Sequence, residues 1–284
     1  MNKYYRFLRQ KCNEIEQLLK PYTILRNIFT PNYFKEILNQ IDNMEKNHQS
    51  GPIHSMFIFF RYDSENNYSQ TKMLEKYLYY IFNHPSIKRK HKNNISKDLT
   101  RQNCLETLFE ISILGNLLYQ LPNNKVTLYP KTISGKNVDA MVVLINRPIY
   151  VEVTVLGESG CDKKDRESRA QAGIDHYIGW RNIKYDGMRF TRKIYDKSVK
   201  FKPNQPNVLM ISVFDFFPDE YEVKWATNNG NFSSTNIGLI LQFGRAKIEN
   251  KFFKNCNPSC HLAEEEKDML IELLDGKNFL PLKY

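Results

Sequence analysis

With 284 residues, 41% hydrophobic and 25% charged, the chain can bury a core for one large or two modest domains and is not intrinsically disordered. A formal net charge of +10 suits a polyanionic partner such as nucleic acid, and speaks to association rather than fold. Five irregularly spaced cysteines argue against a disulfide framework, no apolar run reaches the roughly 18 residues of a membrane span, and Met1-Asn2-Lys3-Tyr4-Tyr5-Arg6 lacks a signal-peptide core, so a reducing, cytoplasmic setting with no membrane contact is expected.

Residues 1–96 read as a mainly helical accessory region. Ile15, Leu18 and Leu19, then Phe34, Ile37, Leu38 and Ile41, recur at helical spacing. Thr30-Pro31 marks a helix start, with Thr as cap and Pro at the first position. His48-Gln49-Ser50-Gly51-Pro52 is a break; residues 53–62 fit strand or helix, and residues 68–82 fit a helix. Residues 86–98 are basic and polar, with Lys88, Arg89, Lys90, His91 and Lys92 in succession. They read as a surface loop or linker, either merely solvated or a phosphate-contacting edge.

Residues 97–284 form the second unit. Residues 100–120 make the strongest helix of the chain, with Leu105, Leu108, Phe109, Ile113, Leu114, Leu117 and Leu118 on a broad apolar face; Leu121-Pro122-Asn123-Asn124 ends it. Residues 125–130 alternate like a strand, and two further strands, 138–145 and 149–156, are expected to join at Asn146-Arg147-Pro148. A polar loop over 157–165 precedes about two amphipathic helices within 166–201. Apolar runs at 208–214 and 237–243 suit buried strands, and residues 263–274 a closing helix, acidic in its first turn as the helix dipole prefers. Helices and strands interleave, so the class is α/β.

Three acids stand among apolar neighbours: Glu110 in the helix, Asp139 opening one strand and Glu152 early in the next. A carboxylate inside Val151-Glu152-Val153-Thr154-Val155-Leu156 is costly to bury unless a metal ion or a cation pairs with it. Alternation sets Glu152 and Thr154 on one face and Val151, Val153 and Val155 on the other. A hairpin centred on Asn146-Arg147 brings Asp139 within two positions of the residue facing Glu152, so both carboxylates can reach one ion. Glu110 is either a solvated helix position or part of the same site, with Glu106 one turn earlier as its substitute.

The segments Leu108-Phe109-Glu110-Ile111, Val138-Asp139-Ala140-Met141-Val142 and Ile149-Tyr150-Val151-Glu152-Val153-Thr154 together resemble the PD-(D/E)XK nuclease superfamily, over about residues 97–243. The resemblance implies a restriction-endonuclease-like fold, a mixed central sheet flanked by helices. It also implies a Mg²⁺-dependent endonuclease that hydrolyses phosphodiester bonds, of DNA, by a Mg²⁺-activated water, with Mn²⁺ as an alternative ion. By the same likeness Glu110, Asp139 and Glu152 hold the metal, with the Val153 carbonyl as a further ligand. The family's lysine, two residues past the Glu, is Thr154 here, and Thr supplies no cation. Family members move that Lys or replace it with Gln on the next helix. Lys163, Lys164, Gln171, Lys193, Lys197 and Lys200 are therefore candidates, Lys197 being favoured because its helix runs into the strand Asn207-Val208-Leu209-Met210-Ile211. Double-strand cutters of this kind often pair, so a homodimer is compatible. Thr154 equally supports an alternative, a catalytically inactive nuclease-like fold that binds nucleic acid or a protein. A third reading is an assembly subunit whose acids pair with lysines.

Other signals are weaker. Cys256-Asn257-Pro258-Ser259-Cys260-His261 lacks the second ligand pair of a structural zinc site and reads as a turn with two buried thiols. Gly157-Glu158-Ser159-Gly160 is not followed by Gly-Lys-Ser/Thr, so it is no phosphate loop, and His54-Ser55 has no visible Asp partner. Asp175-His176 reads as a surface helix pair in preference to a catalytic base. The segment holding Lys184, Arg189, Arg192, Lys193, Lys197, Lys200 and Lys202, interleaved with Tyr185, Phe190 and Tyr195, is either a backbone-tracking surface or an ordinary Lys-rich helix face.

Overall fold

The computed structural model describes residues 3–48, 55–64, 69–101, 104–132, 135–156, 183–213, 226, 232–244, 248–252 and 256–274. Six helices come first: α1 (Lys3–Leu19), α2 (Thr23–Ile28), α3 (Pro31–Lys46), α4 (Ser55–Ser64), α5 (Ser69–Asn83) and α6 (Arg89–Leu99). Then follow α7 (Leu105–Gln120), β1 (Val126–Leu128), β2 (Ala140–Leu144), β3 (Arg147–Leu156), α8 (Ile183–Ser198), β4 (Asn207–Val213), β5 (Leu239–Phe243), β6 (Ile248–Phe252) and α9 (Glu264–Leu274).

Helical spacing dictates the N-terminal elements. In α1, Tyr5, Leu8, Cys12, Ile15 and Leu19 are buried, three or four residues apart; in α3, Tyr33, Phe34, Ile37 and Ile41 are. Pro31 does open α3 with Thr30 at the cap position, although the Thr30 hydroxyl makes no cap bond. Distant acids do that work at two other helix starts. Glu75 accepts the Ile24 and Leu25 N–H groups at α2, both at 2.9 Å. Asp63 accepts the Gln70 N–H at α5 (3.0 Å) and the Thr71 N–H at 2.6 Å.

Residues 86–98, expected as a loop, contain the helix α6 instead. Ile95 and Leu99, four residues apart, are buried and anchor it, while its charged side chains face outward. From Ser55 onward the apolar run expected as strand or helix is helix, as α4. The strong helix α7 starts at Leu105 rather than at residue 100. It is apolar nearly all round, with buried residues from Leu108 to Leu118 on more than one side, as befits a helix between two layers. On one side α5 comes so close that a Cβ at Gly115 would stand 2.3 Å from Cγ of Tyr77. On the other lies the sheet.

The sheet is mixed and six-stranded, in the spatial order β1-β2-β3-β4-β5-β6. β1–β2, β2–β3 and β5–β6 are antiparallel; β3–β4 and β4–β5 are parallel. The fold class is thus α/β, a mixed sheet flanked by helices. The β2–β3 turn lies one residue earlier than expected, at Ile145-Asn146, both with positive φ (44° and 70°), as a two-residue hairpin turn of the primed type demands. Arg147 and Pro148 belong to β3. Pro148 is tolerated because β4 pairs with β3 only from Tyr150 onward, so its missing N–H leaves no ladder bond unmade. β6 was not anticipated, its sequence Ile-Glu-Asn-Lys-Phe offering a single apolar residue at each end.

Two apolar layers sandwich the sheet. Val151, Val153 and Val155 of β3, with Val208, Met210, Leu239 and Leu241, join a core continuous with α7 and the N-terminal helices from Tyr5 onward. Tyr150 and Leu156, with Leu209, Ile211 and Ile240, meet Phe190 and Ile194 of α8 and Phe201. Glu152 and Thr154 alternate with the valines of the first set and share the α8-facing side of Tyr150 and Leu156.

Candidate active site

Strand β3 carries Glu152 and Thr154 to the middle of the sheet, where both are fully buried (0% exposed). The observed register, Ala140 opposite Val151, sets Asp139 against Glu152 at the next step. The chain bends there: the Asp139 N–H donates to the Val151 carbonyl (3.1 Å), and its own Oδ2 accepts the Val153 N–H at 2.7 Å. The amide of Val153 therefore orients Asp139. Glu110, half-buried on α7, accepts a hydrogen bond from the Tyr129 hydroxyl at 2.5 Å. Tyr129 sits just past β1, with φ of 51°, and its N–H donates to the Asp139 carbonyl at 3.0 Å. Tyr129 thus links two of the acids, and the sequence reading missed it, since nothing in Leu128-Tyr129-Pro130 distinguishes it from a strand end.

Helix α8 supplies the cations. Lys197 Nζ is 2.9 Å from Glu152 Oε1, and Lys200, just beyond the helix, also donates to that oxygen. Lys197 is further 3.5 Å from Glu106 Oε1, and Lys193 is 3.9 Å from it. Thr154 faces this group too, its hydroxyl donating to Glu106 Oε1 at 2.9 Å. Glu106, read from sequence as a substitute for Glu110, has a separate place, tying the first turn of α7 to β3 and α8. Lys163, Lys164, Gln171, Asp175 and His176 lie outside the described residues, as do Cys161 and the Gly157 loop.

The charges shape one another. Burial, then the charges of Glu152 and Glu106, push the Glu110 carboxyl up to about 7 against the Tyr129 hydrogen bond. Burial, then Glu152 and Glu110, raise Asp139 well above the usual carboxylate range, with Lys200 and the Val153 amide opposing. Burial also works on Glu106, but Lys197, Lys193 and the Thr154 hydroxyl outweigh it and hold that carboxyl low. Lys197 is lifted above the ordinary lysine value by Glu152 and Glu106 despite its burial, whereas burial depresses Lys193.

The donor set suits a hard divalent cation: three carboxylates, one of them with a buried oxygen, Glu152 Oε2, that has no hydrogen-bond partner among the described residues. The raised Glu110 and Asp139 are what a shared cation would relieve. As they stand, no three His, Cys, Asp or Glu side chains among the described residues converge closely enough to hold a metal ion, and Glu152 Oε1 is held by lysines. The cysteine turn is separate. Cys256 and Cys260 are buried and not disulfide-bonded, and burial followed by the neighbouring Cys260 pushes the Cys256 thiol up to about 12. Comparison of the chain with protein-family models, with curated proteins and with solved structures found no match.

Proposed function

We propose that the chain is a metal-dependent nuclease of restriction-endonuclease-like fold, hydrolysing phosphodiester bonds of nucleic acid, with DNA as the expected substrate. One observation carries the reading: Glu110 of α7, Asp139 just ahead of β2 and Glu152 of β3 lie near enough for their charges to act on one another, and Glu152 has a buried oxygen with no partner among the described residues while Lys197 and Lys200 hold its other oxygen. The succession of a helix, three antiparallel strands, a crossover helix and a parallel strand supports it.

In this reading Glu110, Asp139 and Glu152 hold Mg²⁺ or Mn²⁺, and the Val153 carbonyl is a further ligand. The bound ion supplies Lewis acidity toward the phosphoryl oxygen and lowers the pKa of water. The protein's own groups do the rest. Tyr129 and the Val153 amide orient Glu110 and Asp139. Lys197, with Lys200, replaces the lysine that Thr154 lacks and faces the charge that develops on the phosphoryl oxygens. Thr154 acts through Glu106, whose carboxylate keeps Lys197 and Lys193 near the site.

The second reading, a catalytically inactive fold that binds nucleic acid or a protein, is favoured by the double lysine contact on Glu152, which closes that carboxylate with cations of the chain itself. Calorimetric titration with Mn²⁺ and Mg²⁺ separates the two. The nuclease reading expects saturable binding that Asp139→Asn weakens at least tenfold. No binding by the wild type favours the second reading.

A further inference from the structure

The basic helix α6 is fastened to the carboxylates by a continuous set of contacts. Ahead of it, His84 Nε2 lies 3.2 Å from the Asn123 carbonyl, His84 Nδ1 lies 2.8 Å from Ser86 Oγ, and Ser86 Oγ accepts the Leu128 N–H of β1 at 2.8 Å. In its first turn, His91 stacks flat on Tyr129, with ring centroids 4.2 Å apart and planes 2° from parallel. Tyr129 in turn donates to Glu110 and to the Asp139 carbonyl. Burial, then Lys88 and Lys90, push the His91 imidazole below its ordinary value.

Lys88, Arg89 and Lys90 are exposed, and no carboxylate among the described residues pairs with them. Lys131, also exposed, follows two residues after Tyr129. Lys193, Lys197 and Lys200 differ: Lys193 and Lys197 stand beside Glu106, and Lys197 and Lys200 hold Glu152. Lys88, Arg89, Lys90 and Lys131 are thus free to meet an outside anion, as is the exposed Arg192 of α8, but among the described residues only at the start of α6 do three such cations follow one another in sequence.

We propose that Lys88, Arg89 and Lys90 form the surface on which the phosphate backbone of a nucleic acid lies as it reaches the carboxylates, and that the His91–Tyr129 stack keeps this surface in fixed relation to Glu110. The proposal rests on the nucleic-acid reading above and deepens it by naming where the substrate is held. Charge complementarity selects the occupant: adjacent unpaired cations match repeating backbone phosphates, whose neutralisation releases counterions and makes binding steeply salt-dependent.

The test is fluorescence anisotropy with labelled oligonucleotides of about 30 nucleotides (duplex DNA, single-stranded DNA and RNA), in EDTA, over a range of NaCl. The Lys88→Gln/Arg89→Gln/Lys90→Gln variant is compared with Lys35→Gln/Lys46→Gln/Lys72→Gln, which removes the same net charge from exposed positions elsewhere. All six positions are exposed, and matching melting curves establish equal folding. The α6 variant is expected to lose at least tenfold in affinity, and its salt slope to fall by roughly two to three, at about 0.9 per phosphate contact, while the control stays near wild type. Equal effects of the two triples, or a wild type that binds none of the three nucleic acids, overturn the proposal. EDTA keeps the two claims apart. Binding with the expected slope but no cleavage when metal is added sinks the nuclease reading alone; cleavage with equal triples sinks this one alone.

Discussion

Removing the two lysines that hold Glu152 should destabilise the fold far more than removing Glu152's own charge. The Glu152 side chain has no exposed surface, whereas Lys197 and Lys200 keep 17% and 28% of theirs. In Lys197→Met/Lys200→Met a carboxylate with no route to water loses both cations, a broken buried pair that costs about 3–5 kcal/mol. In Glu152→Gln the lysines can turn toward solvent, Lys197 keeps Glu106 at 3.5 Å, and the charge that raises Asp139 and Glu110 is gone. That change should cost about 1 kcal/mol or less, the scale of one ordinary hydrogen bond. The assay is urea unfolding in EDTA at neutral pH, read as a shift in midpoint at constant slope. Under the proposed function, Mg²⁺ should return part of the loss to the double variant, about 2.7 kcal/mol at a concentration one hundred times its Kd. A double variant no less stable than Glu152→Gln would refute the view that these lysines neutralise a buried anion.

Tyr129→Phe deletes the hydroxyl that lowers the Glu110 pKa, so Glu110 should titrate higher than about 7 and stability should fall by about 1.5–3 kcal/mol, the worth of a hydrogen bond to a charged group; NMR titration of Glu110 and a melting curve read both. Stability of the metal-free protein should also depend on pH through Glu110. Its folded pKa, about 7, lies above the ordinary 4.5, so between those values the folded chain holds a proton that the unfolded chain has released, and this contribution to stability is lost as pH rises through the window. Glu110→Gln should flatten that slope. Ile145→Asn, which places a residue tolerant of positive φ where a β-branched one now has φ of 44°, should raise stability by about 1 kcal/mol in thermal unfolding.

Much of the architecture was legible because periodicity reports burial. The strands around Val151 and Val208 and the helices around Ile37 and Leu114 carry patterns that only one environment satisfies, and alternation alone set Glu152 apart from Val151 and Val153. The hairpin centre was misplaced by one residue because Asn146-Arg147-Pro148 carries stronger turn chemistry than Ile145, whose positive φ no propensity would suggest. Helix α6 was hidden by its composition: only Ile95 and Leu99 anchor it, and a basic run resembles a loop until something packs beneath it. At the site, the acids showed through their apolar neighbours. Tyr129 and His91 did not, because their roles come from contacts with residues 19 and 38 positions away, to which local sequence is blind.

Cleavage is the most direct measurement. Supercoiled plasmid and single-stranded DNA would be incubated with wild type and Glu152→Gln, in Mg²⁺, in Mn²⁺ and in EDTA. The account predicts cutting by the wild type that requires metal and disappears in a folded Glu152→Gln protein. Cutting that persists in Glu152→Gln or in EDTA would place the chemistry elsewhere, and a wild type that binds DNA without cutting it would show that the carboxylates serve a binding fold.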